Sequence, residues 1–210
     1  MAKIFETQFH KGSYIDRISK VAGTPSSISF KRIEKGLAPE FDGSNSKLDM
    51  GFALDLLGNT TCVAWLKYRG FGEGIPASRG IAFSNGKFNI GGMDTGKLSF
   101  SRDGSTTATT PNNSIVLNQY ILVIITSTTA GLTNFYKNGI LIGSADQSAG
   151  TPEIGTDNIT IGNFVSGASR TFNGWIGEIE IHDKILNTKE RAQAYEDFLN
   201  ARPLFEEKHR

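Results

Sequence analysis

The stretch 120–144, YILVIITSTTAGLTNFYKNGILIGS, constrains the fold of this chain most. Its apolar run 121–125 is too short for a helix of ordinary length and is bounded by polar residues and glycine, which predicts a buried central strand. A second strand is predicted over 132–137, and Asn138-Gly139 then leads into another apolar run. Asn-Gly between apolar runs predicts a tight hairpin, because a type I′ turn needs positive φ at both central residues. This meander can bury its apolar faces only under a second sheet, so the sequence predicts an all-β sandwich.

The composition excludes several classes of protein. Lys plus Arg number 22 and Asp plus Glu 21, a formal charge of +1, which gives no overall attraction to nucleic acid or to anionic membranes. The single cysteine, Cys62, cannot form an intrachain disulfide and lies in an apolar strand, where it is expected to pack as a small core residue. The charged N-terminus lacks the apolar core of a secretory signal, so we expect a protein kept in the cytosol or released within a particle.

Two further segments show clear periodicity. In TTCVAWLKYR (60–69), Cys62, Ala64, Leu66 and Tyr68 alternate with Val63 and Trp65, and apolar residues on both faces predict a central strand. The last predicted strand, 175–181, places Ile179 and Ile181 inward and Glu178 and Glu180 outward. A helix is expected after it, because Asn187 and Glu190 have the spacing of a capping box.

Five segments occur in an order that resembles the laminin-G-like, concanavalin A-like domains. They are FDGSNSKLDMG (41–51), CVAWLKYRG (62–70), FYKNGILIGS (135–144), ITIGNF (159–164) and FNGWIGEIEIHDKILNTKERAQAY (172–195). The resemblance implies a jelly-roll sandwich of two antiparallel sheets with a short C-terminal helix. We therefore expect an N-terminal arm or edge strands over 1–27, the jelly roll over 28–186, and a helix and tail over 187–210.

The resemblance also implies a class of function. Members are mostly non-catalytic, bind glycans or protein surfaces, often beside a calcium ion, and occur in secreted proteins and in bacteriophage virions. Sugar binding uses exposed aromatic rings, and Tyr68, Phe71 and Trp175 lie at strand ends or in loops where they could serve. Core packing is an equally good interpretation of these three rings.

Calcium is the one cofactor whose binding the sequence does not exclude. It needs six to eight oxygen ligands, and Asp42 and Asn45 lie in a loop that could supply some of them, as do Asp94 and Asp157 elsewhere. Asp and Asn are also the usual residues of turns, and we favour that interpretation. Gly177 stands where the family usually has an Asp, so any contact made by that Asp is missing here.

A catalytic alternative rests on the strand that contains Glu178, Glu180 and His182. Glycosidases of this sandwich fold carry alternating acidic residues on one strand, which face a sugar as acid and nucleophile. Here the third position is His182 instead of Glu, and outward charge is ordinary on the closing strand of a laminin-G-like domain. We therefore expect no enzymatic activity.

The sequence-based prediction of function is a non-enzymatic virion structural or decoration protein with a lectin-like domain. It would contact other virion proteins or copies of itself, forming a homo-oligomer, and host-surface glycans, with no nucleic-acid or membrane partner. The expected assembly residues, in the terminal segments, are Phe5, Tyr14, Phe198 and Phe205. The alternatives are a free-standing carbohydrate-binding lectin and a glycan-cleaving enzyme.

Overall fold

A computed structural model describes residues 3–9, 13–33, 36–71, 80–93, 95–102, 107–148, 152–164 and 170–200. These residues form short strands and one C-terminal helix. The strands are β1 (Lys3–Thr7), β2 (Thr24–Ser26), β3 (Ser29–Ile33), β4 (Gly36–Asp42), β5 (Lys47–Asp49), β6 (Thr60–Gly70), β7 (Phe83–Ser84), β8 (Asn89–Gly92), β9 (Leu98–Ser101), β10 (Thr107–Thr109), β11 (Tyr120–Ser127), β12 (Leu132–Lys137), β13 (Ile140–Asp146), β14 (Thr160–Ile161) and β15 (Asn173–His182), and the helix is α1 (Thr188–Asn200).

The strands form the two antiparallel sheets of a sandwich, as the sequence predicted. The larger sheet has the order β13-β12-β11-β6-β15-β4-β3, and the smaller has the order β10-β9-β8-β7-β14-β5-β2. Two strands pair with β15 on the side that faces away from β6. The first residues of β15 pair with β4, and its last residues pair with β1. The first and last strands of the fold are therefore neighbours.

The meander that organises the sequence is confirmed at the centre of the larger sheet. Asn138 and Gly139 have φ values of 51° and 81°, the left-handed backbone that a type I′ turn requires. Strand β11 pairs with β12 on one side and with β6 on the other, so its apolar run lies in the sheet interior. The alternation of β6 is also confirmed, with Leu66 and Tyr68 in the core between the sheets and Trp65 on the opposite face.

Helix α1 covers part of the outer face of the larger sheet. Its capping box forms as predicted: Asn187 Oδ1 accepts from the Glu190 amide at 3.1 Å, and Glu190 Oε2 accepts from the Asn187 amide at 2.8 Å. Phe198 packs edge-on against Trp65, with ring centroids 5.6 Å apart. The second hydrophobic cluster under α1 consists of Val63, Trp65, Leu122, Ile124, Leu186 and Phe198. No helix in the described ranges is long and apolar enough to cross a membrane.

The structure corrects the predicted assembly residues. Residues 3–7 do not form a free arm, since they are strand β1, and Phe5 is fully buried against Phe83 with centroids 5.7 Å apart. Phe198 is buried beneath α1 in its own chain. Both rings are therefore unavailable to a second copy of the folded domain. Tyr14 is half-buried against Phe30 at 4.7 Å, and Phe205 lies outside the described residues.

Candidate functional site

Two groups of side chains of opposite character lie on the outer face of strand β15. Ile176 and Ile179 point into the core, and a register shift between Ile176 and Glu178 adds one residue between them. Because of this bulge, Trp175 and Glu178 lie on the same outer face although they are three residues apart. We call the group around Glu178 the carboxylate cluster (Lys3, Glu6, Glu178, Glu180 and His182) and the group around Trp175 the Trp175 patch (Glu40, Lys67, Arg69, Asn173 and Trp175).

The carboxylate cluster joins the first and last strands of the fold. Glu6 of β1 pairs directly with Glu180 of β15, and carboxylate oxygens of Glu6, Glu178 and Glu180 lie within 4.8 Å of one another. Lys3 Nζ forms an ion pair with Glu180 and lies 3.3 Å from Glu6 Oε1. His182 Nε2 lies 2.9 Å from Glu180 Oε2. Such a set of oxygens could coordinate a metal ion, but here the Lys3 ammonium already supplies a positive charge among them.

The electrostatics of the cluster separate its two central carboxyl groups. Burial raises the pKa of Glu178, and the hydrogen bond to Glu180 and the repulsion from its charge raise it further. Burial would also raise the pKa of Glu180, but hydrogen bonds from His182 and Glu178 and the charge of Lys3 outweigh it and lower this pKa. The two pKa values are therefore shifted in opposite directions, so that a proton held by the pair resides preferentially on Glu178.

Four members of the cluster, Lys3, Glu178, Glu180 and His182, form the floor of a cavity of about 300 Å³ between β15 and helix α1. The cavity is polar at its floor and has apolar groups from β6 and the α1 region on its walls. The other lining residues are Val63, Trp65, Lys184, Leu186, Glu190, Gln193, Ala194 and Asp197. At its mouth, Lys184 forms an ion pair with Glu190, so the charges there are largely compensated.

The geometry of the carboxylate cluster argues against glycoside hydrolysis. Retaining glycosidases hold their two carboxyl groups about 5–5.5 Å apart, and inverting enzymes hold them further apart, so that a sugar fits between them. Here Glu178 and Glu180 are hydrogen-bonded to each other. The strand alternation predicts the outer face for both side chains, which is correct, but they are not the ordinary outward charges that this pattern indicates. Glu178 is in fact 6% exposed, and it lies beside β1 at the bottom of the cavity under α1.

The Trp175 patch lies on the same sheet face, beyond the part lined by α1. The Trp175 ring is half-buried, and it has Lys67 Nζ 5.6 Å and Arg69 Cζ 5.4 Å from its centroid. Arg69 is held in place by Asn173 Oδ1, which accepts from Nε at 2.9 Å, and by Glu40 Oε1, which lies 2.6 Å from Nη1. The patch therefore combines a partly exposed aromatic ring with two cations placed over it, one of which is a guanidinium held by hydrogen bonds.

The three rings predicted to bind sugar are not brought together. Tyr68 is fully buried, and its hydroxyl faces Gly80 O at 3.4 Å, so its assignment as a sugar-binding residue is wrong. The alternation of β6 already carried this signal, because Tyr68 lies on the same strand face as the buried Leu66. Phe71 is half-buried against Tyr68, with centroids 6.0 Å apart. Trp175 alone of the three lies on the outer sheet face, where its role in binding stays a prediction.

The predicted calcium loop shows a turn structure. Asp42 Oδ1 accepts hydrogen bonds from the amides of Ser44, Asn45 and Ser46 at 2.8, 2.9 and 3.0 Å. Burial is the largest single influence and opposes the charge of Asp42, but the three backbone hydrogen bonds and one from the Ser46 side chain together outweigh it and lower the pKa to about 2. This carboxylate oxygen therefore closes a turn, and calcium binding by Asp42 and Asn45 stays a prediction. Asp94 lies outside the described residues.

Sequence reasoning missed most members of both groups. Lys67 and Arg69 follow Trp65 at alternate positions of β6, and this spacing could have indicated their shared outer face. Glu40 reaches the patch only because β4 pairs with β15. Lys3 and Glu6 reach the carboxylate cluster only because β1 pairs with β15. No local pattern in the sequence indicates either pairing.

A family model described as the concanavalin A-like lectin/glucanases superfamily matches residues 42–190, well over half of the sequence. The chain belongs to this superfamily. The match agrees with the laminin-G-like segments recognised in the sequence and with the two-sheet sandwich. No curated protein matches the sequence.

Solved structures with the same fold include sugar-binding and toxin domains. Domain 4 of AbnA, an extracellular arabinanase from Geobacillus stearothermophilus solved with arabinotriose, aligns with a TM-score of 0.71 and 14% identity, covering 92% of this chain and 98% of that one. A botulinum neurotoxin type C structure, reported with cell entry dependent on two ganglioside molecules, aligns with a TM-score of 0.67 and 15% identity. The alignment covers 94% of this chain but only 51% of the toxin chain, so the present chain spans about half its length. At these identities the similarity establishes the fold.

Proposed function

We propose that this chain is a non-enzymatic carbohydrate-binding domain that takes its ligand at the Trp175 patch. The observation that carries this proposal is a partly exposed tryptophan on an outer sheet face, with the Lys67 ammonium and the Arg69 guanidinium of β6 over its ring. A sugar ring has an apolar face of C–H groups that stacks on an aromatic ring, and a rim of hydroxyls that bind oriented polar side chains. The patch supplies both kinds of contact.

The superfamily and the fold support this proposal. The lectin-like fold is shared with an arabinanase domain that was solved with arabinotriose, which is a statement about that domain. The hydrogen bond between Glu178 and Glu180 supports the absence of glycosidase activity. The Trp175 patch contains one carboxylate, Glu40, which is already bonded to Arg69, so it lacks an acid–base pair of its own.

The experiment that tests the proposal is a glycan array followed by calorimetric titration of the strongest ligand, with arabinotriose included as a neutral probe. Trp175→Ala is expected to abolish binding, because the stacking surface is lost. Phe164→Ala is the matched control, because Phe164 is also a half-buried ring with an arginine at 4.5 Å, but it lies after β14 of the other sheet. Binding that survives Trp175→Ala contradicts the proposed site, and sugar release from any bound glycan contradicts the non-enzymatic assignment.

Two sequence-based predictions accompany this proposal and need their own measurements. Titration in calcium and in EDTA decides whether the Asp42 and Asn45 loop contributes a metal to binding. Self-association of the chain is tested by its mass in solution, and a defined oligomer would favour the virion role. After the correction of Phe5 and Phe198, we propose that any oligomer forms through other surfaces than these two buried rings.

A further inference from the structure

We propose that the carboxylate cluster acts as a pH-sensitive latch, which holds strand β1 on β15 at neutral pH and releases it locally as the pH rises. The proposal does not depend on carbohydrate binding, because the cluster and the Trp175 patch are separate groups of residues. Its basis is the position of three carboxyl groups across the pairing of the two strands.

Members of the carboxylate cluster lie on both sides of the pairing between β1 and β15. Glu6 of β1 is the register partner of Glu180 of β15, and carboxylate oxygens of Glu6, Glu178 and Glu180 lie within 4.8 Å of one another. Glu6 and Glu178 are buried, so water screens their charges poorly. A full negative charge on all three groups would therefore push the two strands apart.

Two cations compensate part of this charge, and both come from the N-terminal part of the chain. Lys3 Nζ forms an ion pair with Glu180 and lies 3.3 Å from Glu6 Oε1, and Arg17 Nη1 lies 3.4 Å from the same Glu6 oxygen. Glu178 keeps its proton more readily than an ordinary glutamate does. Burial, the hydrogen bond to Glu180 and the charge of Glu180 raise its pKa, and together they outweigh the opposite effect of Lys3. The pairing is therefore most favourable while Glu178 is protonated.

Release of β1 changes the surroundings of Glu178 in a defined way. Lys3 and Glu6 leave with the strand, and their charges have opposite effects on the pKa of Glu178. Water then reaches Glu178, and its pKa falls because burial is the largest cause of the raised value. The other titratable or charged groups around it stay in place on β11, on β15 and the segment after it, and on α1, and they are Tyr120, Glu180, His182, Lys184, Glu190 and Asp197. The released state therefore binds fewer protons, so rising pH favours release.

Strand β1 can open without the rest of the sheet, because β15 is its only strand partner among the residues that the structure describes. On its other side, Thr7 forms a bridge with Asp16, and the Glu6 amide donates to Asp16 Oδ1 at 2.8 Å. Phe5 opposes release, since its ring is buried against Phe83. The open state is therefore a minor population, of the kind that amide hydrogen exchange detects.

The test is hydrogen exchange of the full chain at pH 7, 8 and 9, followed by mass spectrometry. Each exchange rate is divided into the rate of an unstructured peptide at the same pH, which removes the base catalysis of exchange itself. The protection of residues 4–7 in β1 is expected to fall by up to about tenfold for each pH unit, because opening releases at most one proton from Glu178. Residues 121–126 of β11, at the centre of the sheet, should keep their protection.

Variants identify the group that titrates. Glu178→Gln keeps a hydrogen-bond donor for Glu180 and removes the titrating proton, so the protection of β1 should not change with pH. Glu196→Gln, at an exposed carboxylate of α1, is the matched control and should behave as the parent does. Glu6→Gln removes one of the two like charges near Glu178, and we expect a smaller loss of protection between pH 7 and 9 than in the parent. This third variant keeps the test readable if Glu178→Gln folds poorly.

Three results would overturn the latch. The first is a protection of β1 that stays constant with pH in the parent, and the second is an equal loss in the parent and in Glu178→Gln. The third is a loss of protection in β11 that matches the loss in β1, because the chain would then unfold as a whole. Failure of the chain to bind any glycan would overturn the proposed function and leave these measurements unaffected.

Discussion

The carboxylate cluster and the Trp175 patch lie on one face of one strand and differ in what surrounds them. At the end of β15 that contains Glu178, strand β1 and helix α1 bury the side chains, and the carboxyl groups respond by sharing a proton. At the end that contains Trp175, the ring stays half-exposed and its cations keep their charge in contact with water. The comparison teaches that the sheet face sets the direction of a side chain, while the covering elements decide whether it stabilises the fold or is available to a ligand.

The largest expected effect on stability comes from removing the ring that packs α1 on the sheet beside the carboxylate cluster. Phe198→Ala takes away the ring that packs on Trp65 at 5.6 Å and stacks on Tyr120 at 5.9 Å. We expect the free energy of unfolding to fall by about 3 kcal/mol, as is usual when a buried phenylalanine is truncated. Urea denaturation measures this loss, with Glu196→Ala on the exposed side of α1 as the control. Equal midpoints for the two variants would mean that the packing of α1 on the sheet through Phe198 does not stabilise the fold.

The second-largest expected effect is a change in how the stability of the chain depends on pH, caused by the buried carboxyl group of Glu178. The pKa of Glu178 is raised in the folded chain, so the folded state retains a proton that the unfolded state loses above about pH 4.5. The contribution of Glu178 to stability is therefore fully present below that pH and is lost progressively as pH rises toward the folded pKa. Glu178→Gln keeps the hydrogen bond without a titrating proton, and we expect it to be more stable than the parent at pH 8 by on the order of 1–3 kcal/mol.

Unfolding midpoints at pH 4, 6 and 8 check this expectation. The advantage of Glu178→Gln should shrink toward pH 4, where the parent is protonated in both states. Glu180→Gln is the matched comparison and should lose stability near neutral pH, because the lowered pKa of Glu180 reflects favourable contacts of its charge with Lys3 and His182. A parallel pH dependence in the parent and in Glu178→Gln would show that Glu178 is not the proton carrier.

A smaller loss of stability is expected from substituting the residue that caps the N-terminus of α1. Asn187→Ala removes the side-chain acceptor for the Glu190 amide and should cost about 1 kcal/mol. Asn187→Ser is the matched control, since serine can also cap a helix. Thermal unfolding followed by circular dichroism compares the three chains. If serine and alanine are equally destabilising, the capping hydrogen bond is not the source of the loss.

The smallest expected change in stability comes from a substitution in the Trp175 patch. Arg69→Gln breaks an ion pair with Glu40 that is partly exposed to solvent, and such pairs contribute about 0–1 kcal/mol. We expect unfolding within about 0.5 kcal/mol of the parent, in contrast to the carboxylate cluster. Urea denaturation measures it beside Lys47→Gln, at an exposed lysine of the other sheet. A loss of several kcal/mol would mean that Arg69 is a structural residue, and its effect on ligand binding would then need the folded fraction as a correction.

The sequence predicted the parts of the fold that depend on local patterns. The alternation in β6 and the Asn138-Gly139 turn are properties of consecutive residues, and both are confirmed. The burial of Glu178 could not be predicted in this way, because it depends on β1 and α1, which are remote in the chain or on another element. Trp175 was found from its place near a strand end. Tyr68 was misassigned because its position near the end of β6 was given more weight than the alternation that places it in the core.

The pairing of β1 with β15 also has a consequence for how the chain is made. Lys3 and His182 are register partners, so β1 can pair with β15 only after all the residues between these two strands have been synthesised. Contacts between such distant residues carry a high loop-closure cost and slow the final step of folding. Until that step, Phe5 has no complete sheet to be buried in and Glu180 has no Lys3 beside it. Completing this edge of the sheet therefore requires residues 179–182, because a nascent chain that stops before them lacks the part of β15 with which β1 pairs.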